Sequence, residues 1–161
     1  MKKLKYLFLL LSVLTIISCS SDDNSTTGDI EGEWKADSWH VSGTMEGGSF
    51  TMNGIDMSEI TVTFNQDGTY ISDGEYFTVL VEFSMDGMEF SNEITNDNPF
   101  SSGTWQKDGD NLIIKNTGDT EVYNYHIDRL TSNRLDVSLD NYRIVEDGIE
   151  TTVKAEMGFR R

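Results

Sequence analysis

Apolar and polar residues alternate with a period of two along most of the chain beyond residue 30. Phe77, Val79, Val81, Phe83 and Met85 share one parity, with Thr78, Glu82 and Ser84 on the other. Met88, Phe90 and Ile94 then alternate with Glu89, Ser91, Glu93 and Thr95. Neighbouring side chains on a strand point to opposite faces, so this pattern marks strands with one buried and one wet face. Only Asp86-Gly87 lies between the two runs, a pair that tolerates the positive φ angles of a two-residue turn. The spacing predicts a β-hairpin here.

The same grammar recurs elsewhere. Ile60, Val62 and Phe64 precede the turn Asn65-Gln66-Asp67-Gly68, which leads into Thr69-Tyr70-Ile71. Thr104-Trp105-Gln106 runs into Asp108-Gly109-Asp110, then Leu112 and Ile114 lead to Asn116-Thr117-Gly118-Asp119. Tyr123, Tyr125 and Ile127 share a face, and Thr131-Ser132-Asn133 turns into Leu135, Val137 and Leu139. After Glu146-Asp147-Gly148 come Val153, Ala155, Met157 and Phe159, alternating with Thr152, Lys154, Glu156 and Arg160. About nine to ten strands with short turns imply mostly neighbour-to-neighbour antiparallel pairing. The expected fold is all-β, an antiparallel up-and-down barrel whose closure removes exposed edges. A β-sandwich satisfies the same periodicity and stands as the alternative.

The amino end reads differently. Lys2, Lys3 and Lys5 precede the apolar run Tyr6 to Ile17. A spanning helix needs roughly 20 apolar residues, so this shorter run fits a signal peptide over residues 1–18. Ile16-Ile17-Ser18-Cys19 then resembles the lipobox of bacterial lipoproteins, and Cys19 is the only cysteine. That resemblance implies cleavage before Cys19, acylation of its thiol and new amino group, and anchoring in a membrane. Two or more acyl chains make such an anchor stable where one does not. Ser20-Ser21-Asp22-Asp23-Asn24 looks like the tag that sends some lipoproteins to the cell surface, so the outer membrane is the expected location. Residues 19–29 read as a lipidated polar linker, of which the ten residues Ser20 to Asp29 reach at most about 35 Å when extended, and residues 30–161 as one domain.

Charge narrows the partners. Cleavage after residue 18 leaves nine basic and 28 acidic side chains, a formal charge of −19. Such a surface repels phosphate backbones, so nucleic acid is excluded. Catalytic signals are weak. His40 and His126 are far apart, and no nucleophile elbow, phosphate-binding glycine loop or zinc-protease motif occurs. His40 falls on the parity of Trp34, Ala36 and Ser38 and is expected to point inward. Glu59, Glu82, Glu89 and Glu93 alternate with apolar residues, which places them on solvated faces. Asp108, Asp110 and Asn111, or Asn65 and Asp67, lack calcium-loop spacing and read as turn residues. No metal, no cofactor and no enzymatic activity are expected.

Taken in order, Gly32-Glu33-Trp34, Phe64-Asn65-Gln66-Asp67-Gly68-Thr69-Tyr70, Gly103-Thr104-Trp105, Asp108-Gly109-Asp110-Asn111-Leu112 and Ile127 to Leu135 resemble the lipocalin-like domains of bacterial lipoproteins. That resemblance implies a barrel plugged at one end by Trp34 beneath an arginine from the last strand, Arg160 or Arg161, with Arg160 preferred. The interior is expected to be lined by Phe77, Val79, Phe83, Met85 and Phe90, and to bind a small apolar ligand or be filled by its own side chains. Ser42 to Gly54 and Thr95 to Ser102 are expected to frame the mouth. A role as an accessory subunit, with an outer-membrane protein as partner, is the second reading, and a hydrolase a distant third.

Overall fold

The computed structural model describes residues 28–45, 47–98, 100–146 and 149–161. The expected signal segment, Cys19 and the expected linker as far as residue 27 lie outside the described residues. Among the described residues all regular structure is strand. In chain order these are β1 (Gly32–Met45), β2 (Gly48–Asp56), β3 (Thr61–Phe64), β4 (Thr69–Asp73), β5 (Tyr76–Met85), β6 (Met88–Asp97), β7 (Gly103–Asp108), β8 (Asn111–Asn116), β9 (Tyr123–Leu130), β10 (Arg134–Glu146) and β11 (Ile149–Arg160). The chain thus forms eleven strands rather than nine to ten. Ser42 to Gly54 supplies the end of β1 and most of β2.

Eight strands close a barrel in the order β1-β3-β4-β7-β8-β9-β10-β11, and β11 pairs back onto β1 from Lys35↔Arg160 to Thr44↔Thr152. Every pairing is antiparallel. The β11–β1 seam rules out the sandwich, since it joins the sheet to itself and leaves the barrel without an edge. The remaining three strands form an arm. Along its carboxyl half β1 leaves β3 and pairs with β2, from His40↔Asn53 to Met45↔Gly48. β5 pairs with β2, and β6 with β5. Asp86 and Gly87 have φ of 52° and 80°, as the expected two-residue hairpin requires.

β1 carries a bulge where it changes partner: its register against β11 shifts between Ala36 and Ser38. An extra residue in one strand reverses the parity beyond it. Trp34 and Ala36 point inward before the bulge, whereas Trp39 packs against the core after it. His40 therefore does not face the interior as its parity suggested; its Nδ1 lies 2.6 Å from Asn53 Oδ1 on the other face of the sheet. Gly43 is required by its neighbour, because a Cβ there would lie 2.4 Å from the Phe50 ring.

The core gathers the inward faces of the barrel, with Ile30, Trp34, Ile60, Ile127, Leu130, Leu135 and Val137 fully buried. Each fully buried aliphatic side chain contributes about 1.5–3 kcal/mol. Trp34 plugs the end at which the two termini of the ring meet. Its Nε1 donates to Ile30 O at 2.7 Å, and the Arg161 guanidinium lies 4.0 Å above its ring. Arg161 Nη2 also donates to the carbonyls of Asp29, at 3.0 Å, and of Glu31. The stacked arginine is thus Arg161 rather than Arg160. Phe159 is buried inside, so the strand period turns residue 160 outward, where Arg160 pairs with Asp37 at 2.6 Å. Asp37 also receives Arg134, which holds Asp136 at 2.7 Å. Partial burial opposes ionisation of Asp37, but the hydrogen bonds from Arg134 and Arg160 outweigh it and hold the carboxyl below its usual range.

Trp34→Ala should cost about 3–5 kcal/mol, as large-to-small changes of buried aromatics do. Arg161→Ala should lower the melting temperature more than Arg160→Ala, because it uncovers the indole and releases the carbonyls ahead of β1. The reverse order in thermal melts followed by circular dichroism would contradict this assignment of the two arginines.

Candidate ligand cavity

The inward face of the barrel leaves room above the Trp34 plug. Packing at that end comes from bulky aliphatics, but farther along the strands offer tyrosines and short polar side chains. The result is a cavity of about 250 Å³. Its walls are Val62 and Phe64 of β3, Tyr70 of β4, Leu112, Ile114 and Asn116 of β8, Tyr123 and Tyr125 of β9, Val137 of β10, and Met157 and Phe159 of β11. Phe100 and Ser101, between β6 and β7, complete it. Val62, Phe64, Leu112 and Val137 are buried, whereas Ser101 is exposed and Asn116 and Tyr123 are half-buried, so the polar groups stand at the solvent side.

Local contacts set Phe100 and Phe64 in the wall. Asn98 fixes the loop: its Nδ2 donates to Ser72 Oγ at 2.8 Å and to Gly74 O at 3.0 Å, while its Oδ1 accepts from Phe100 N at 2.9 Å. That clamp sets Phe100 against Phe159, with ring centroids 5.6 Å apart. Phe64 meets Trp105 edge to face at 5.4 Å, and Trp105 Nε1 donates to Asn65 O at 3.0 Å.

Three phenols face this space in different states. Tyr70 donates to Asn116 Oδ1 at 2.6 Å, and burial raises its pKa. Tyr123 donates to Asp119 Oδ2 at 3.0 Å; burial and that hydrogen bond raise its pKa as well. Tyr125 has the most strongly raised pKa of the three. Burial, with smaller contributions from Tyr123 and Tyr70, pushes its phenol up to about 12. It stays a neutral donor at any physiological pH. The cavity wall holds no Asp, Glu, Lys, Arg or His.

The residues expected to line the interior sit elsewhere. Phe77 and Val79 are buried at the root of the arm, where Phe77 meets Trp39 edge to face at 5.4 Å. Phe83, Met85 and Phe90 lie on the arm outside the barrel and are 40, 45 and 57% exposed. None of the five borders the cavity. The strongest alternation in the sequence marks the arm hairpin, whose apolar face runs past the core it is continuous with. Of the two long segments, Thr95 to Ser102 does reach the cavity through Phe100 and Ser101, while Ser42 to Gly54 belongs to β1 and the arm. The tyrosines were visible as the shared parity of Tyr123, Tyr125 and Ile127; a bias toward aromatic residues with hydroxyls on one inward face was the signal to follow.

Other chemistry is sparse. Asp67 Oδ1 accepts from Thr69 N and Oγ1, at 2.9 and 2.6 Å, which ties it to its turn. Among the described residues no three His, Cys, Asp or Glu side chains gather as a metal set. Residues 30–137 match a family model described as Lipocalin-like domain, which covers more than half of the chain. Neither a curated protein nor a solved structure matches it.

A phenol whose folded pKa lies above its unfolded value of about 10 adds stability that is complete below that pH and is lost as pH rises through the folded value. Urea melts should therefore show stability falling between pH 10 and 12, and Tyr125→Phe should flatten that fall. An identical slope in both proteins would place the phenol in open water.

Proposed function

The chain belongs to the lipocalin-like family, and from that footing we propose that it is a lipid-anchored binding protein that holds one small, uncharged, ring-bearing molecule in its barrel. The observation that carries this reading is the 250 Å³ cavity with an aromatic wall and no charged group. A cavity of about 150 Å³ lined by apolar side chains takes up benzene, and drug-sized ligands occupy roughly 300–1,000 Å³. The volume here suits one or two rings and is too small for a diacyl lipid. Burying an ion without a counter-charge is strongly unfavourable, so a neutral ligand is favoured. The Tyr125 hydroxyl, which has no hydrogen-bond partner among the described residues, can donate to a carbonyl, ether or hydroxyl of that molecule, and Ser101 and Asn116 offer further polar contact near the rim.

The membrane part of the proposal rests on the sequence before the barrel. Ile16-Ile17-Ser18-Cys19 has the form of a lipobox, and the polar residues that follow would set the barrel off a bilayer that its acidic surface does not favour. The proposed location is the outer membrane, with the domain exposed to solvent. The same reading makes the barrel non-catalytic: its wall offers phenols, an amide and a hydroxyl, but no carboxylate, imidazole or thiol.

Titration with an apolar naphthylamine dye should give saturable fluorescence enhancement. Ile114→Trp should abolish it by filling the cavity, with little change in melting temperature. A side chain forced into an already filled core costs about 1–3 kcal/mol, so a strongly destabilised Ile114→Trp together with no saturable binding by the parent would overturn the carrier reading. Cys19→Ala should abolish labelling with an acyl-chain analogue and release the protein from sedimented membranes. Unchanged membrane association would remove the anchor from the proposal.

A further inference from the structure

The arm ends in an open edge. β6 pairs with β5 over ten consecutive residues, from Tyr76↔Asp97 to Met85↔Met88, without a register shift, and among the described residues no strand pairs with its other side. Proteins protect such edges with charged side chains, lysine above all, or with prolines or bulges. β6 carries the acids Glu89, Glu93 and Asp97 but no lysine, proline or bulge, so its charge is of one sign. There is no Lys or Arg anywhere between Lys35 and Lys107, a span that contains the whole arm.

The two faces at this edge differ in chemistry. Directly paired residues share a face, so Phe83↔Phe90, Met85↔Met88 and Val79↔Ile94 form one apolar surface. All of these but Val79 are at least 40% exposed, and Phe50 extends the row inward against Phe83 at 6.0 Å. The opposite face carries Glu82, Glu89 and Glu93. An exposed apolar face beside an unpaired strand edge is the kind of surface that strand addition uses.

We propose that β6 is a docking edge for an extended segment of another protein in which apolar residues alternate with Lys or Arg. Added as a further strand, the segment would cover Phe90 and Ile94 with its apolar side and set its cations beside Glu89 and Glu93. Opposite charges across a strand pair are stabilising and like charges directly opposite are destabilising. A second copy of this chain pairing edge to edge would gather the acids of both strands on one face with no lysine or arginine between them. A bilayer would have to desolvate the same acids and Asp86 at the hairpin tip.

A two-residue turn makes Met85↔Met88 a hydrogen-bonded pair. The amides of Glu89, Ser91 and Glu93 then point away from β5, toward the open side. Ser91→Pro thus blocks the edge while sparing the β5–β6 ladder. The test uses the full chain in neutral detergent and a labelled nine-residue peptide in which lysine alternates with valine and isoleucine. A peptide of the same composition with its lysines in one block, and one with glutamate for lysine, serve as comparators. Fluorescence anisotropy should show the alternating lysine peptide binding at least tenfold tighter than either, with at least a tenfold loss in Ser91→Pro. Equal binding of the blocked peptide, or of Ser91→Pro, would overturn the proposal. Should Ser91→Pro fold poorly, the double variant Glu89→Lys, Glu93→Lys should shift preference to the glutamate peptide; an unchanged preference overturns it too. Dimerisation that Ser91→Pro abolishes would reassign the edge to a second copy. Binding to phosphatidylcholine vesicles that Phe90→Ser abolishes would reassign the face to a bilayer.

Discussion

The seam between β1 and β11 is the constraint on which the molecule depends. Without it the sheet is open, the inward faces of the remaining strands have nothing to close over, and the cavity has no wall. The seam joins residues more than a hundred positions apart in sequence, so its chain-entropy cost is met only when the core behind it is buried. Trp34 and Arg161 act at the end of this seam. The indole fills the barrel end from β1, while the guanidinium covers it from beyond β11 and takes up carbonyls of the segment leading into β1. Two side chains thereby secure the closure and satisfy backbone groups that would otherwise face the plug unpaired.

A single extra residue divides the molecule into two territories. On one side β1 keeps β11 from Lys35 to Thr44; on the other it pairs with β3 as far as Lys35 and with β2 from His40, and the arm follows from that change of partner. The apolar face is continuous from barrel to arm but its surroundings are not. Within the ring it is shut off from water, at the root of the arm Phe77 and Val79 are still covered, and at the hairpin tip Met88 and Phe90 are bare. One face therefore serves as core, then as packing against the ring, then as exposed surface, with no change in its residue alternation.

That continuity explains what the sequence could and could not disclose. Strand identity was legible throughout because alternation is local, and the hairpin at Asp86-Gly87 was legible because turn chemistry is local. Trp34 stood out as the plug from its Gly-x-Trp context, and the choice of Arg161 over Arg160 was available from the parity of Phe159. What a strand faces is not local. Phe77 to Met85 and Tyr123 to Ile127 carry the same kind of pattern, yet only the second group walls the cavity, and the difference lies in pairings across the sheet. The bulge that turns His40 outward left no sequence mark such as a glycine or proline at residues 36–38. The cavity itself arises from the absence of one more bulky inward residue among Tyr70, Asn116 and Ser101, a matter of volume that periodicity does not record.

The order in which the ring is assembled has a consequence for biosynthesis. β11 is the last of its strands to be made, and at roughly 5–20 residues per second β1 exists for several seconds before the partner that closes it. During that interval the nascent chain has no complete core, only short hairpins such as β3–β4 and β5–β6 that are marginal alone. Closure of the ring is therefore a late event, and until β11 is available the apolar faces that it will seal stay uncovered on the growing chain.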